Sequence, residues 1–392
     1  MFSNILSVMK KPLLIVIIIL VVILAWPAFK FFRWSFQDKK PLDIIILDKT
    51  VPDLEKINHK SLTWVITNDR FVKSTGRSYS WKKDYFGWYP TRPLREKGAE
   101  QHSLRLPEVM NVTDSIDAIY YADTYGVFMN DWFRGINRSR RSRRLYGGLT
   151  NTDYLYLVEM QRRNKLCILE YNAFDYPTAE LERYKANERL GIGFNGWTGK
   201  YFSSLDTLSS EDFPIWMTAM YRKEHRQPWT FTKPGVVLVR DRNIIVLEEG
   251  SLLQDAMPYI YTDTLNTAKY GVISKVPFDG WFDIIDPMET RVVSWYKLNT
   301  TPKADSMLFE NFLTNEFPAV ITDPATERTF YFAGDFTANK IQFWTSRLFG
   351  IENLKSLHYS QKEDDTRRFF WLYYKPLVTG ILTRYYDEIK EQ

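Results

Sequence analysis

The stretch 144–174 constrains the fold most, because it reads as a glycine turn, a helix, a polar break, a buried strand and a second turn. Thr150 or Asn151 can cap a helix whose first turn holds Asp153, satisfying the orphan amides and positive end of the helix start. Leu155, Val158 and Met160 follow before the break at Asn164-Lys165. Leu166 to Leu169 is an apolar run without alternation, as expected of a strand covered on both faces. A helix leading into such a strand predicts a parallel α/β sheet, in which the loops after the strands line the ligand crevice. Gly147, Gly148, Glu170, Tyr171 and Asn172 fall where a site would lie.

The same grammar recurs along the chain. Residues 42–48 form an apolar strand closing on Asp48, and Leu62, Val65 and Ile66 give 56–72 a helical core face. Residues 73–112 are aromatic and rich in turn formers, predicting irregular structure packed by its own rings. Residues 117–126 make a strand ending at Asp123, and 329–335 another ending at Asp335. Pro177-Thr178 starts a helix with Leu181 and Tyr184 on one face, and 191–200 reads as a glycine-rich loop whose spacing fits no phosphate-cradling motif. Residues 234–247 spell a β-hairpin, 281–285, 292–298 and 317–322 further strands, and 367–386 one or two helices interrupted near Pro376. The expected fold is α/β, a mostly parallel doubly wound sheet with a β-hairpin insertion, preceded by one transmembrane helix. The expected division is a tail over 1–11, an anchor over 12–29, a linker over 30–41, the α/β domain over 42–336 with an insertion around 203–275, and a helical extension over 337–392.

The anchor rests on 12–29, an apolar run of Leu, Ile, Val and Ala long enough to cross a hydrocarbon core as a helix. Trp26-Pro27-Ala28-Phe29 lacks the small-residue pattern of a cleaved signal. Lys30, Arg33, Lys39 and Lys40 outnumber Lys10 and Lys11 and would hold the large domain inside. A short tail, one anchor and a large globular domain argue for the opposite arrangement, and the expectation adopted is a single-pass protein of the bacterial inner membrane with its domain extracytoplasmic. A formal charge of +5 from 52 basic and 47 acidic residues excludes a general polyanion binder, so no nucleic-acid partner is expected. The six arginines within 134–144 are either a solvated loop or an oxyanion contact. One cysteine, Cys167, excludes an internal disulfide, and its place in an apolar strand favours packing over reactivity.

Tyr146-Gly147-Gly148, the strand and turn from Leu166 to Asn172, and the closing strands Phe317-Pro-Ala-Val320 and Phe330-Tyr-Phe-Ala-Gly334 together resemble the class I glutamine amidotransferase-like superfamily, over about residues 42 to 336. The resemblance implies a flavodoxin-like sandwich, and in particular the non-catalytic versions found in some β-galactosidases and membrane-anchored bacterial proteins. An active member carries cysteine in the turn after the strand and a His-x-Glu pair near the end. This chain has Tyr171-Asn172-Ala173 in the turn and Tyr359-Ser360 after His358, so glutamine hydrolysis is not expected.

Asp48, Asp123, Glu170 and Asp335 each close a predicted core strand, which would gather carboxylates at one rim of the sheet. Clustered carboxylates raise one another's pKa and can act as acid and base or hold a hard cation, whereas strand-end acids also serve simply to cap the next turn. His59, His102, His225 and His358 have no ligand spacing, and neither a metal nor a cofactor is expected. Two functions follow. In one, a catalytically degenerate amidotransferase-like domain of the cell envelope binds a glycan or protein partner through Gly147, Gly148, Asn172, Asp48 and the rings of Trp197, Tyr201, Trp88 and Trp281. In the other, an envelope hydrolase or transferase uses Glu170 with Asp123 or Asp335 as acid and base.

Overall fold

The structure is a computed structural model describing residues 16, 25–52, 58–92, 96, 98–134, 142–208 and 213–391. Fourteen strands make its two principal sheets among these residues. In chain order they are β1 (Ile44–Asp48), β2 (Phe86–Pro90), β3 (Ala99–His102), β4 (Ala118–Asp123), β5 (Leu166–Glu170), β6 (Gly193–Phe202), β7 (Gly235–Arg240), β8 (Asn243–Glu248), β9 (Leu253–Thr262), β10 (Lys275–Pro277), β11 (Trp281–Asp286), β12 (Arg291–Thr300), β13 (Glu316–Thr322) and β14 (Thr329–Phe332). Ten of them form one sheet in the order β10-β9-β12-β13-β14-β5-β4-β1-β2-β3, and β8-β7-β6-β11 form the other.

The large sheet is mixed, which corrects the expected mostly parallel, doubly wound architecture. Only the run β2-β1-β4-β5-β14 is parallel. The β10-β9-β12-β13-β14 side is antiparallel, as is the β2–β3 edge. The parallel centre is where the continuous apolar strands lie, and β1, β4 and β5 are buried along their whole length. Along β12, Ser294, Tyr296 and Leu298 are buried while Trp295, Lys297 and Asn299 are exposed, the one-faced alternation of an antiparallel strand.

The membrane anchor is also corrected. Among the described residues no helix is long and apolar enough to cross a membrane, and most of 12–29 lies outside those residues. The described helix over 25–35 ends by burying Trp34, whose indole N–H donates to the Thr67 carbonyl at 3.1 Å. The expected membrane partner and single-pass inner-membrane location therefore have no described helix to rest on.

Helix α1 (Lys60–Asn68) buries Ser61 through Asn68, the all-round burial of a helix enclosed by the fold. Thr150 caps α2 (Asn151–Arg162), and a full capping box joins it to Asp153. The helix expected from Pro177 begins at Glu180, as α3 (Glu180–Leu190), and buries Ala186 and Leu190. Leu181 and Tyr184, its expected inner face, are 60% and 64% exposed. The glycine-rich stretch is strand β6, and residues 73–112 contain β2 and β3. A Cβ at Gly199 in β6 would meet the Phe282 ring at 2.4 Å, so this glycine allows the close packing of β6 on β11.

The four-stranded sheet carries the β7–β8 hairpin and a small core of its own, in which Val237, Val239, Ile244 and Val246 meet Met217 of α4 (Trp216–His225). It joins the large sheet through β11: the Asp283 amide donates to the Ala333 carbonyl at 3.0 Å, and the Asp335 amide to the Trp281 carbonyl at 2.9 Å. The C-terminal helix α5 (Lys375–Lys390) buries Leu377, Val378, Ile381, Leu382 and Tyr385 in the main core.

Candidate functional site

The register of the parallel strands brings the strand-end acids to one rim. Asp48 stands opposite Asp123, and Phe332 opposite Glu170, with Asp335 three residues beyond. A cavity of about 300 Å³ opens there, between this rim and the four-stranded sheet. Asp123, Asp131, Asp175 and Asp335 line it together with Asn172, Tyr125, Tyr171, Tyr176, Trp216 and Trp281. A larger cleft of about 570 Å³ runs along β1 away from the strand ends, where Lys73 and Asp84 satisfy each other at 2.6 Å. The rim cavity is the better candidate because strand-end acids and aromatic walls converge in it.

The four rim carboxylates divide into two pairs. Asp48 is fully buried; its Oδ2 meets His59 Nδ1 at 2.7 Å and its Oδ1 accepts the Thr50 amide at 3.0 Å. Glu170 is likewise enclosed, with Oε1 accepting from the Tyr120 hydroxyl and Oε2 from the Thr337 amide at 2.9 Å and hydroxyl at 3.1 Å. Burial raises the Glu170 pKa, with the nearby Asp335 charge adding to it. Neither Asp48 nor Glu170 reaches the cavity, and Glu170 is thereby removed from the expected acid–base set.

Asp123 and Asp335 do line it. Asp123 accepts from Asn58 Nδ2 at 3.0 Å and from the Tyr125 amide at 2.7 Å. Its pKa is raised by burial first and then by the charges of Asp335 and Asp48. Burial also lifts Asp335, against the opposing pull of Lys200. The carboxyl Oδ1 of Asp335 is buried and has no hydrogen-bond partner among the described residues. Two carboxyls with raised pKa values lining one cavity resist ionising together.

The other expected ligand residues separate in the same way. Asn172 lines the cavity in a left-handed conformation, φ 68°, at the turn after β5. Its carbonyl accepts from the Thr124 hydroxyl at 2.9 Å, and its amide donates to the Asp283 carboxylate. Gly147 and Gly148 stand behind the rim rather than in the cavity wall. A Cβ on Gly147 would lie 2.3 Å from the Tyr125 carbonyl oxygen, and Gly148 is held by the Thr124 carbonyl at 2.6 Å and by Lys49 Nζ at 2.9 Å. They permit two turns to touch, and the Gly148 amide is taken by the Thr124 carbonyl.

Of the expected aromatic platforms, Trp281 alone lines the cavity, its ring stacked on Tyr171 at 6.4 Å and 17°. Trp197 is fully buried under Arg240, Tyr201 lies in β6 against Val236, and Trp88 packs on Trp132 at 5.2 Å. Cys167 is buried inside β5 and burial pushes its thiol pKa up, which leaves it inert.

Asp131, Asp175, Tyr125, Tyr176 and Trp216 lacked a sequence signal for their role. Asp131 reads as the acceptor for the Phe128 amide, at 3.2 Å, and Asp175 as the acceptor for the Tyr176 amide, at 2.6 Å. Asp283 had a signal, an acid inside the apolar strand Trp281-Phe-Asp-Ile-Ile. It is fully buried and receives the Tyr331 hydroxyl, and burial pushes its pKa up to about 8.

No group of three or more His, Cys, Asp or Glu side chains among the described residues is arranged to hold a metal ion. Compared with protein-family models, curated proteins and solved structures, the chain matches none.

Proposed function

We propose that the chain is a saccharide-binding protein, a catalytically degenerate amidotransferase-like domain whose ligand enters the cavity at the strand ends. The observation that carries this reading is the pairing of Asp123 and Asp335 with the Trp281–Tyr171 wall in one cavity of about 300 Å³. Carboxyl oxygens accept from sugar hydroxyls, while aromatic rings bury the apolar C–H face of a pyranose. A cavity of this size suits one or two sugar rings, which favours a glycan over a protein partner. The amidotransferase-like part is supported by the parallel run β1-β4-β5-β14 and by the left-handed turn at Asn172, with Cys167 buried out of reach.

Calorimetric titration of the full chain with neutral mono- and oligosaccharides tests the reading. Binding is expected to weaken about tenfold or more in Trp281→Ala. Absence of binding to every saccharide, or an unchanged affinity in Trp281→Ala, would contradict it.

A second reading has its own observation. Asp123 and Asp335 both hold raised pKa values, and such a pair can act as general acid and base on a glycosidic bond. Release of reducing sugar from an oligosaccharide, abolished in Asp335→Asn, would favour hydrolysis over binding alone.

A further inference from the structure

We propose that the cleft of about 570 Å³ along β1 is a second binding site, which takes a short extended peptide as a missing neighbour of that strand. It shares no lining residue with the rim cavity and does not depend on the saccharide reading. Successive residues of a strand turn their backbone groups to opposite edges. The Asp43 carbonyl accepts the Ala118 amide at 3.1 Å, so residues 43, 45 and 47 face β4 and residues 42, 44, 46 and 48 face the cleft side. On that side, pairing with β2 covers only Leu47 and Asp48, opposite Phe86 and Gly87. At the other end the Tyr79 hydroxyl stands in for a neighbouring strand, accepting from the Ile44 amide at 2.7 Å and donating to the Leu42 carbonyl at 2.7 Å.

Between these two ends the Ile44 carbonyl and the Ile46 amide have no hydrogen-bond partner among the described residues. Asp84, which would continue the β2 ladder toward them, gives its amide to the Ser80 carbonyl instead, at 2.8 Å. Both isoleucines line the cleft, yet they are only 7% and 1% exposed. An unmet backbone donor and acceptor at such depth cost free energy that a ligand recovers. One residue of an extended chain running parallel to β1 supplies both bonds, donating its amide to Ile44 and accepting from Ile46 with its carbonyl. The rings of Tyr79, Tyr85, Phe86 and Tyr89 line the same cleft and give apolar side chains of that peptide a surface to pack on.

Acetyl-Ala-Val-Ala-dimethylamide is titrated into the full chain beside the same peptide N-methylated at every residue, and the backbone amide signals and their hydrogen exchange are followed by NMR. The unmethylated peptide is expected to bind about tenfold tighter than the methylated one, which has lost its donor for the Ile44 carbonyl. At saturation the Ile46 amide is expected to exchange about tenfold more slowly, while the Ile45 amide, on the β4 side of the strand, keeps its rate. No binding of the unmethylated peptide, equal affinity of the two peptides, or binding that leaves the Ile46 amide unchanged would each overturn the proposal.

Discussion

Asp283 and Glu170 show how a single buried acid is set by its partners. The Asp283 carboxyl, pushed up to about 8, holds its proton in the fold at pH values where the unfolded chain would lose it. Its contribution is therefore full below the ordinary aspartate range and is lost as pH rises from about 4 to about 8. Replacing it by asparagine keeps an acceptor for the Tyr331 hydroxyl without a titrating proton. Asp283→Asn should raise the melting temperature relative to the parent at pH 8 and give no such gain at pH 5, measured by thermal melts across pH. Glu170→Ala removes an acceptor used by Tyr120 and Thr337 and leaves a cavity, and should cost about 2–4 kcal/mol in denaturant unfolding. At this scale the sequence made the strand-end acids legible as a set, because each closes an apolar run. Which of them face the cavity was not legible, since the groups that occupy Glu170 lie 50 and 167 residues away.

The elements most readable from sequence were those fixed by their own neighbours. Thr150 with Asp153 spells the start of α2, and Thr150→Ala should cost about 1 kcal/mol, read from denaturant midpoints. Strand β6 was hidden because four glycines in nine residues read as turns, whereas Gly199 is dictated by the Phe282 ring across the sheet. The turns at Gly126 and Gly147 press so closely that Gly147→Ala would drive a methyl into the Tyr125 carbonyl, at a φ of 130° that side chains rarely adopt. That variant should lose more than about 2 kcal/mol of stability and also bind saccharide more weakly, because Tyr125 lines the cavity. Titration of the variant beside the parent checks both effects.

Over the whole molecule, the parallel centre was legible from unbroken apolar strands, and the antiparallel half was legible in principle from the alternation along β12. Connectivity was not, because β11 leaves the large sheet for the small one and returns the chain through β12. This crossing builds the cavity, since it sets Trp281 opposite the rim that carries Asp123 and Asp335. The C-terminal helix completes the core: Tyr374, just before α5, meets the Tyr120 hydroxyl at 3.2 Å beneath the same rim. Deletion of 375–390 removes Leu377, Val378, Ile381 and Leu382 from the main core and should abolish cooperative unfolding in calorimetry.

Saccharide occupancy of the cavity at the strand ends is tested most directly by labelling the indole nitrogens of the full chain and following their NMR signals during saccharide titration. The Trp281 and Trp216 signals are expected to shift in a saturable way while those of the enclosed Trp197 and Trp88 stay in place. Saturable shifts confined to other tryptophans, or no shift with any saccharide, would contradict it.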